Sequence, residues 1–566
     1  MARLYKILAL ALALAPVFSF AQDGSRDDLL RDMVKQLGQA EVSVPLPGNA
    51  MTDLLARNVS ISSADRENLF IRLSPLTIDW FISHNLSYTV IEREAAKGPL
   101  SAESTEKAME WQSYPTWQQY DSILHYLCDS YPDLCCLDTI GISVRGRAIY
   151  VLKISDNAGI DEDEPEVFLT STIHGDETAG FILLLRFASH LLENYQMNED
   201  TGSLVDELEI WINPLANPDG TYGDGDEIIL PVRFNANGYD LNRNFPDPVS
   251  QTTEIQKETA AMIDFLKERS FVLSANMHSG AEVINYPWDR WERLHPDDQW
   301  FRTISRKYVD TVHFYSEPGY MTDLDDGITN GYQWYKVYGG RQDFVTWELG
   351  GREVTIELHK SYVTPVDQLG YIWESNYRSV EAYLRNAMTG IHGRISDRIT
   401  GLPLVASVVI DNHDMDNSHI ESDTLTGRFI RMIAPGSWSL KFAAMGYRDT
   451  VITVTSLLNE KTDLEVEMYP LLNRVDTLDH EKPFLYPNPA STYIKAVLPS
   501  ALRGELRVAI FSVSGNKEIE YETVVSGDYP LTTDISRLRR GVYIIRFTNK
   551  AKGLSSEAVF VIARAP

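Results

Sequence analysis

Two short stretches, about a hundred positions apart, offer the side chains that a hydrolytic metal ion needs. His174 and Glu177 lie in Ser171-Thr172-Ile173-His174-Gly175-Asp176-Glu177-Thr178, directly after the apolar run Val167-Phe168-Leu169. Val, Phe, Leu and Ile read as a buried strand, and Gly175 lets the backbone turn sharply where the strand ends. An imidazole and a carboxylate then leave one tight loop together. They supply two of the three protein ligands of an open zinc site, whose fourth position is left to water. The third should be a distant histidine that also ends a strand. His278, which closes Phe271-Val272-Leu273-Ser274-Ala275-Asn276-Met277-His278, fits that description.

The elements that must position these ligands alternate from Tyr114 to about Ala387. Tyr120 to Cys128 reads as a helix, and Ile149 to Ile154 and Val167 to Ile173 as strands. A helix over Ala179 to Tyr195, a strand over Leu208 to Asn213, a helix over Thr252 to Glu268 and the strand ending at His278 follow. Strands alternating with helices predict an α/β sheet covered on both faces. Ligands of such sheets bind beyond the carboxyl ends of the strands, where His174 and His278 both fall.

A length of 566 residues predicts about three or four domains. The formal net charge of -29 argues against nucleic acid or an anionic membrane surface as partner. It suits cationic peptides, and equally plain solubility. The three cysteines, Cys128, Cys135 and Cys136, contain no CxxC pair for a Cys-rich zinc site. They allow one local disulfide with one thiol left over, or a set of buried thiols.

Arg3 and Lys6 precede an apolar stretch from Ile7 to Phe20, and Ser19-Phe20-Ala21 has the small residues of a signal-peptidase site. Residues 1–21 therefore read as a signal peptide of an exported protein. That stretch is too short for a secure transmembrane span, and no later segment reaches spanning length. Residues 22–111 read as a prodomain, with a linker as the alternative; Leu69 to Leu73 looks like a strand and Thr77 to Leu86 like a short helix. Residues 112–388 hold the alternating pattern. Residues 391–471 carry short strands separated by Gly, Pro, Asn and Asp, which predicts an antiparallel sandwich. Residues 480–566, opening on Phe484-Leu485-Tyr486-Pro487-Asn488-Pro489-Ala490-Ser491, form a second β-rich unit. Neither β unit has catalytic groups, so the last one serves delivery or attachment.

Several further motifs fall in order between these points: Asn217-Pro218-Asp219-Gly220, Asp240-Leu241-Asn242-Arg243-Asn244-Phe245-Pro246-Asp247, Asn276-Met277-His278-Ser279-Gly280-Ala281 and Trp334-Tyr335-Lys336-Val337-Tyr338-Gly339-Gly340. Together with His174-Gly175-Asp176-Glu177, this series resembles the zinc metallocarboxypeptidases over about residues 114 to 387. It is most similar to the branch holding carboxypeptidases E, D, M and N.

The resemblance implies the metallocarboxypeptidase fold and one Zn2+ held by His174, Glu177 and His278. It makes Asp240 the carboxylate that orients a ligand imidazole. Asn242 and Arg243 would grip the substrate's terminal carboxylate, for which a planar guanidinium is suited. Arg233 would polarise the scissile carbonyl, Tyr335 would cap the substrate, with Tyr338 as its local rival, and Glu357 would be the general base. Asp289 and Gln342 match positions lining the side-chain pocket of members that remove C-terminal Lys or Arg. Residues 391–471 look like the transthyretin-like sandwich of this branch. The last unit looks like a C-terminal sorting domain of type IX secretion. That implies the secretion machinery as a partner, a place outside the outer membrane of a Gram-negative cell, and removal of the tail on export.

The leading expectation is thus a secreted carboxypeptidase acting on peptides and proteins that end in Lys or Arg. A catalytically inactive surface protein that binds peptides with the same fold is the alternative. An amide hydrolase for non-peptide substrates such as acyl amino acids ranks third, because it needs no Asn242, Arg243 or Tyr335. His190, His125, His295, His313, His359 and His419 read as structural or surface histidines, and Trp288 and Trp291 as packing aromatics.

Overall fold

The computed structural model describes residues 26–92, 100–249, 254–471, 482–488, 490–513, 515–525 and 530–562. The signal-peptide expectation for residues 1–21 lies outside the described residues. No helix among the described residues is long and apolar enough to cross a membrane.

The first unit is better organised than its sequence suggests. Four antiparallel strands, β1 (Ala40–Pro45), β2 (Ser60–Ala64), β3 (Asn68–Leu73) and β4 (Thr89–Ile91), pair in the order β2-β3-β1-β4. Helices Arg26–Leu37, Asn49–Asn58 and Ile78–Ser83 pack on them around Val42, Val44, Leu55, Ile61, Ile71 and Phe81. Leu100, Ala102, Ala108 and Tyr114 join the next core, beside Tyr120 and Phe181, because their side chains are buried there and not against the first sheet.

That next core surrounds a mixed eight-stranded sheet of β5 (Cys135–Ile142), β6 (Ala148–Ile154), β7 (Glu166–Ser171), β8 (Glu209–Asn213), β9 (Phe271–His278), β10 (Glu282–Tyr286), β11 (Ile328–Asn330) and β12 (Arg352–Leu358), in the order β11-β10-β12-β9-β7-β8-β6-β5. Helices Trp117–Ser130, Ala179–Asn194, Asp298–Tyr315 and Leu369–Leu384 share one apolar core with one face of the sheet. Helices Lys257–Glu268 and Arg341–Glu348 cover the other, setting Phe265 and Phe344 over Phe168, Trp211 and Phe271. Strands β7, β8 and β9 are buried along almost their whole length, as a sheet covered on both faces requires. The helix expected from Thr252 begins instead at Lys257. Gln256 before it is extended, and its N–H is taken by the Asn244 side chain at 2.7 Å.

The four central strands, β8, β7, β9 and β12, run parallel, so their carboxyl ends share one edge. The register sets Glu357 of β12 directly beside His278 of β9. That edge carries the site.

The sandwich follows as a three-stranded sheet facing a four-stranded one, spanning Gly390 to Met468. It is joined to the mixed sheet by a charge network centred on the fully buried Asp297. Asp297 accepts hydrogen bonds from Arg352 Nη2 at 2.7 Å, Arg431 Nη1 at 2.8 Å and His413 Nε2 at 2.8 Å. Arg352 begins β12, while Arg431 and His413 belong to the sandwich. The last unit, a three-stranded and a four-stranded sheet, touches the sandwich through Lys495, which donates to Asp397 and to the Tyr447 hydroxyl.

Removing one member of a buried ion network strands the others in low dielectric, at a cost of about 3–5 kcal/mol. Asp297→Ala should therefore lower the first thermal transition of the chain in calorimetry, whereas the exposed pair Arg31–Asp79 can be broken with little effect.

Candidate metal centre and substrate cleft

Strand β7 ends at Ser171, and the loop that follows turns under close constraint. A Cβ on Gly175 would lie 2.3 Å from the Gly220 carbonyl carbon, so only glycine fits where the two loops meet. Asn217 holds them together: its Nδ2 donates to Ile173 O at 3.2 Å, and its Oδ1 accepts from Gly220 N at 2.9 Å. The Asn-Pro-Asp-Gly motif is thus the support of the His174–Glu177 loop.

His174, Glu177 and His278 converge, all buried, with ligand-type atoms within 4.8 Å of one another. His174 Nδ1 lies 2.9 Å from Glu177 Oε1, His278 Nδ1 lies 2.6 Å from Glu177 Oε2, and the two Nδ1 atoms are 3.1 Å apart. Ligand atoms of tetrahedral zinc stand roughly 3.3–3.6 Å apart when the bonds are about 2.0–2.2 Å. These three groups stand 2.6–3.1 Å apart, closer than that, and each offers one ligand-type atom to the same small space. The donor set fits a divalent cation.

The far sides of both rings are also occupied. Asp240 Oδ1 lies 3.1 Å from His174 Nε2, and the Asn276 amide lies 2.7 Å from His278 Nε2. Asn276 Oδ1 is buried and otherwise without a partner. Turned so that this oxygen faces the ring, Asn276 accepts the Nε2 proton and leaves Nδ1 bare for a metal.

Burial pushes the Glu177 carboxyl up, but His174 and His278 outweigh it and hold it well below the usual range. Glu357 goes the other way: burial, reinforced by the charge of Glu177, pushes its carboxyl well above. Two carboxyls of one site are thereby driven apart. Burial also raises Asp240, but Arg233, His174 and Arg243 prevail and keep it ionised.

The remaining residues singled out from sequence gather on the same edge. Burial pushes the half-buried Tyr335 phenol up, and the phenol also feels the charges of Arg243, Glu357, Arg233 and Asp289. Asn242 Oδ1 accepts from Arg341 N at 2.9 Å and so fixes the start of the helix bearing Gln342. Gln342 Nε2 donates to Asp289 Oδ1 at 2.8 Å and to Asn285 Oδ1 at 3.2 Å. Burial raises the Asp289 carboxyl to about 7, against the pull of Asn285 and Arg243.

Two residues complete that pocket without having been expected. Asp343 accepts the backbone N–H of Asp289 and of Arg290, each at 3.0 Å. Gly331 lies so close that a Cβ there would sit 1.8 Å from Asp289 Oδ1. Tyr338, the rival of Tyr335, turns away and contacts Asp53 and Arg57 of the first unit. His190 pairs with Glu381 at 3.0 Å, away from the cluster, and Trp288 packs among Trp291, His295 and Trp347.

The first unit lies directly on this edge. Arg243 Nη2 donates to the Ile61 carbonyl at 2.6 Å. Arg233 Nε donates to Ser60 Oγ at 2.7 Å and to Asp240 Oδ2 at 3.0 Å, while its Nη1 donates to Glu177 Oε1 at 2.8 Å. Gln39 donates to Asp176 Oδ2 at 3.1 Å, and Arg72 pairs with Asp176 at 3.3 Å and Glu41 at 3.3 Å. No pattern in the sequence marks Gln39, Ser60 or Ile61 for this, since each meets the site only through the docking of two separate folds.

A zinc carboxypeptidase family model matches residues 120–379, the stretch that carries every group named on this edge outside the first unit. The catalytic chain of carboxypeptidase N from Rattus norvegicus is 34% identical over 385 residues, covering 60% of this chain and 82% of that protein. The chain belongs to the zinc carboxypeptidase family. Carboxypeptidase D from Anas platyrhynchos is 33% identical over 449 residues, 74% of this chain; the chain spans 31% of that longer relative. A carboxypeptidase A structure from Helicoverpa armigera superposes with a TM-score of 0.48 at 17% identity, covering 62% of this chain and 97% of that one. Residues 484–561 match a secretion system C-terminal sorting domain.

If Asp240 and Asn276 orient the rings as described, losing either should weaken metal binding by about 10–100-fold while leaving its stoichiometry at one. Zinc titration against a competing chelator measures this for Asp240→Asn and Asn276→Ala. Unchanged affinity in both would exclude the two contacts as supports of the ligands.

Proposed function

We propose that this protein is an exported zinc carboxypeptidase that removes C-terminal Lys or Arg from peptides and proteins. The observation that carries the reading is the union, on one sheet edge, of the ligand trio with Glu357 and of Arg243 with the Asp289–Gln342 pocket. Zinc, when bound, supplies Lewis acidity toward the scissile carbonyl and toward the attacking water.

The chain's own residues do the rest. Glu357, whose carboxyl burial makes unusually basic, takes the water's proton and hands it to the leaving amine. Arg243 and Asn242 bind the terminal carboxylate and fix which bond is presented. Arg233 stabilises the developing oxyanion. Tyr335 closes over the bound residue and excludes water. Asp289, held by Gln342 at its carboxylate and by Asp343, which accepts the backbone N–H of its loop, pairs with the Lys or Arg side chain.

The same reading assigns residues 26–92 as a prodomain that keeps the enzyme latent. Its Ile61 carbonyl occupies the guanidinium meant for the substrate carboxylate, and Ser60 ties up Arg233. The last unit acts as the address for export through the secretion machinery, which puts the mature enzyme at or beyond the cell surface.

Peptides ending in Arg, Lys, Phe, Leu or Glu should be offered to the zinc-loaded chain before and after limited proteolysis within residues 93–99. Release of Arg and Lys is expected to rise sharply on cleavage and to fall about 10²–10⁴-fold in Glu357→Gln. Release of Phe or Leu instead would remove Asp289 from the pocket. No release from folded, zinc-loaded and cleaved protein would favour the peptide-binding alternative.

The Asp289 carboxyl, raised by burial to about 7, is ionised above that pH and protonated below it. Binding of an Arg-ending peptide to the cleaved Glu357→Gln chain should therefore be tight above about pH 7 and weaken as the pH falls. Calorimetry should find that dependence lost in Asp289→Asn, with affinity down on the order of 30-fold or more.

A further inference from the structure

Cys128 lies in the last turn of the helix Trp117–Ser130, and Cys135 is the first residue of β5. Their sulfur atoms are 2.9 Å apart, closer than thiols that merely pack. The chain must double back between them, and it does so over Tyr131, whose carbonyl accepts both Leu134 N at 3.0 Å and Cys135 N at 2.9 Å. The approach of the two sulfurs is thus set by backbone hydrogen bonds at the helix end.

Three cysteines allow three pairings, and the strand selects among them. Successive side chains of a strand point to opposite faces, so Cys135 and Cys136 cannot both face the helix. Cys135 is the buried one, in the core with Leu124 and Leu127 of that helix. Cys136 is only half-buried, and the register that sets Cys135 opposite Ile154 and Cys136 opposite Lys153 holds it on the other face. For Cys136 to reach Cys128, β5 would have to turn over and lose that ladder with β6.

We propose that Cys128 and Cys135 are a disulfide-forming site, and that Cys136 stays a thiol. The oxidant is a disulfide met outside the reducing interior, such as oxidised glutathione or an envelope thiol oxidoreductase. The thiolate of half-buried Cys128 attacks it, giving a mixed disulfide and one reduced thiol. Cys135 sulfur then displaces the second thiol. Two S–H bonds are lost and one S–S bond formed, and the oxidant's disulfide leaves as two thiols carrying both electrons and both protons. The bridge fastens β5, the edge strand of the mixed sheet, to the helix that covers it. It touches no group of the cleft, so it acts on stability and leaves the chemistry alone.

The test uses the full chain incubated with oxidised glutathione, then denatured without reductant and alkylated. One reactive thiol is expected, located at Cys136 by mass spectrometry, with cleavage on the amino side of Asp133 separating Cys128 from the other two. Cys136→Ser should show none, and Cys128→Ser should show two. Reductant should lower the Tm of the oxidised chain by about 5 °C and leave that of Cys128→Ser unmoved. Three thiols after oxidation, or a bridge involving Cys136, would overturn the proposal.

Discussion

A carboxylate with almost no exposure, Glu177, stands between two imidazoles and a guanidinium, and much of the molecule is arranged to keep it there. Burying such a charge alone is prohibitively costly. His174 reaches it from the same loop and His278 from the end of the neighbouring strand, and Arg233 approaches from a third segment. Those partners need fixed orientations of their own, which Asp240 and Asn276 provide from behind the rings. The Asn217 turn and the close packing of Gly175 on Gly220 exist to hold the loop that offers Glu177 at all. The same constraint explains why Glu357 differs so much from Glu177: it is equally buried, but it faces that charge instead of being paired with it.

The order of strands converts this local requirement into a cleft. Because β8, β7, β9 and β12 are parallel, the ends that bear His174, His278 and Glu357 are forced to one edge. The helix from Arg341, fixed at its start by Asn242, brings Gln342 to Asp289 and closes the far side. Gly331 must lack a side chain there, since any Cβ would occupy the space of the Asp289 carboxylate. The proposed catalytic and specificity groups are therefore parts of one packing problem.

The units outside the mixed sheet attach by buried polar contacts as well as by apolar ones such as Ile430, Met432 and Tyr338. The first unit meets the cleft through Gln39, Ser60, Ile61 and Arg72, each joined to a charged group of the site. The sandwich is held by Asp297 between Arg352 and Arg431. Such contacts are specific in geometry and intolerant of losing one partner. They suit a unit that must sit in one position only, and a contact made of hydrogen bonds to Arg233 and Arg243 can be undone by removing the first unit without rebuilding the core beneath.

Much was legible in the chain itself. Apolar runs with period two or 3.6 disclosed the α/β alternation, because burial on both faces of a sheet leaves continuous hydrophobic strands. His174, Glu177 and His278 could be named because metal chemistry restricts residue type and local spacing, whereas Asp240 and Glu357 were named only through the resemblance to the zinc metallocarboxypeptidases. Asn276, two positions from His278 and so on the same face of the strand, was within reach of the same reasoning. Other features were decided only by tertiary structure. Helix Lys257–Glu268 starts late because a side chain from Asn244 captures the amide before it. Residues 100–114 belong to the second core because of where their side chains are buried, which no boundary in composition reveals. The occupation of Arg233 and Arg243 by Ser60 and Ile61 depends on two folded surfaces meeting. Spacing along a chain reports what one strand or loop presents; which separate elements come to face each other is settled by packing.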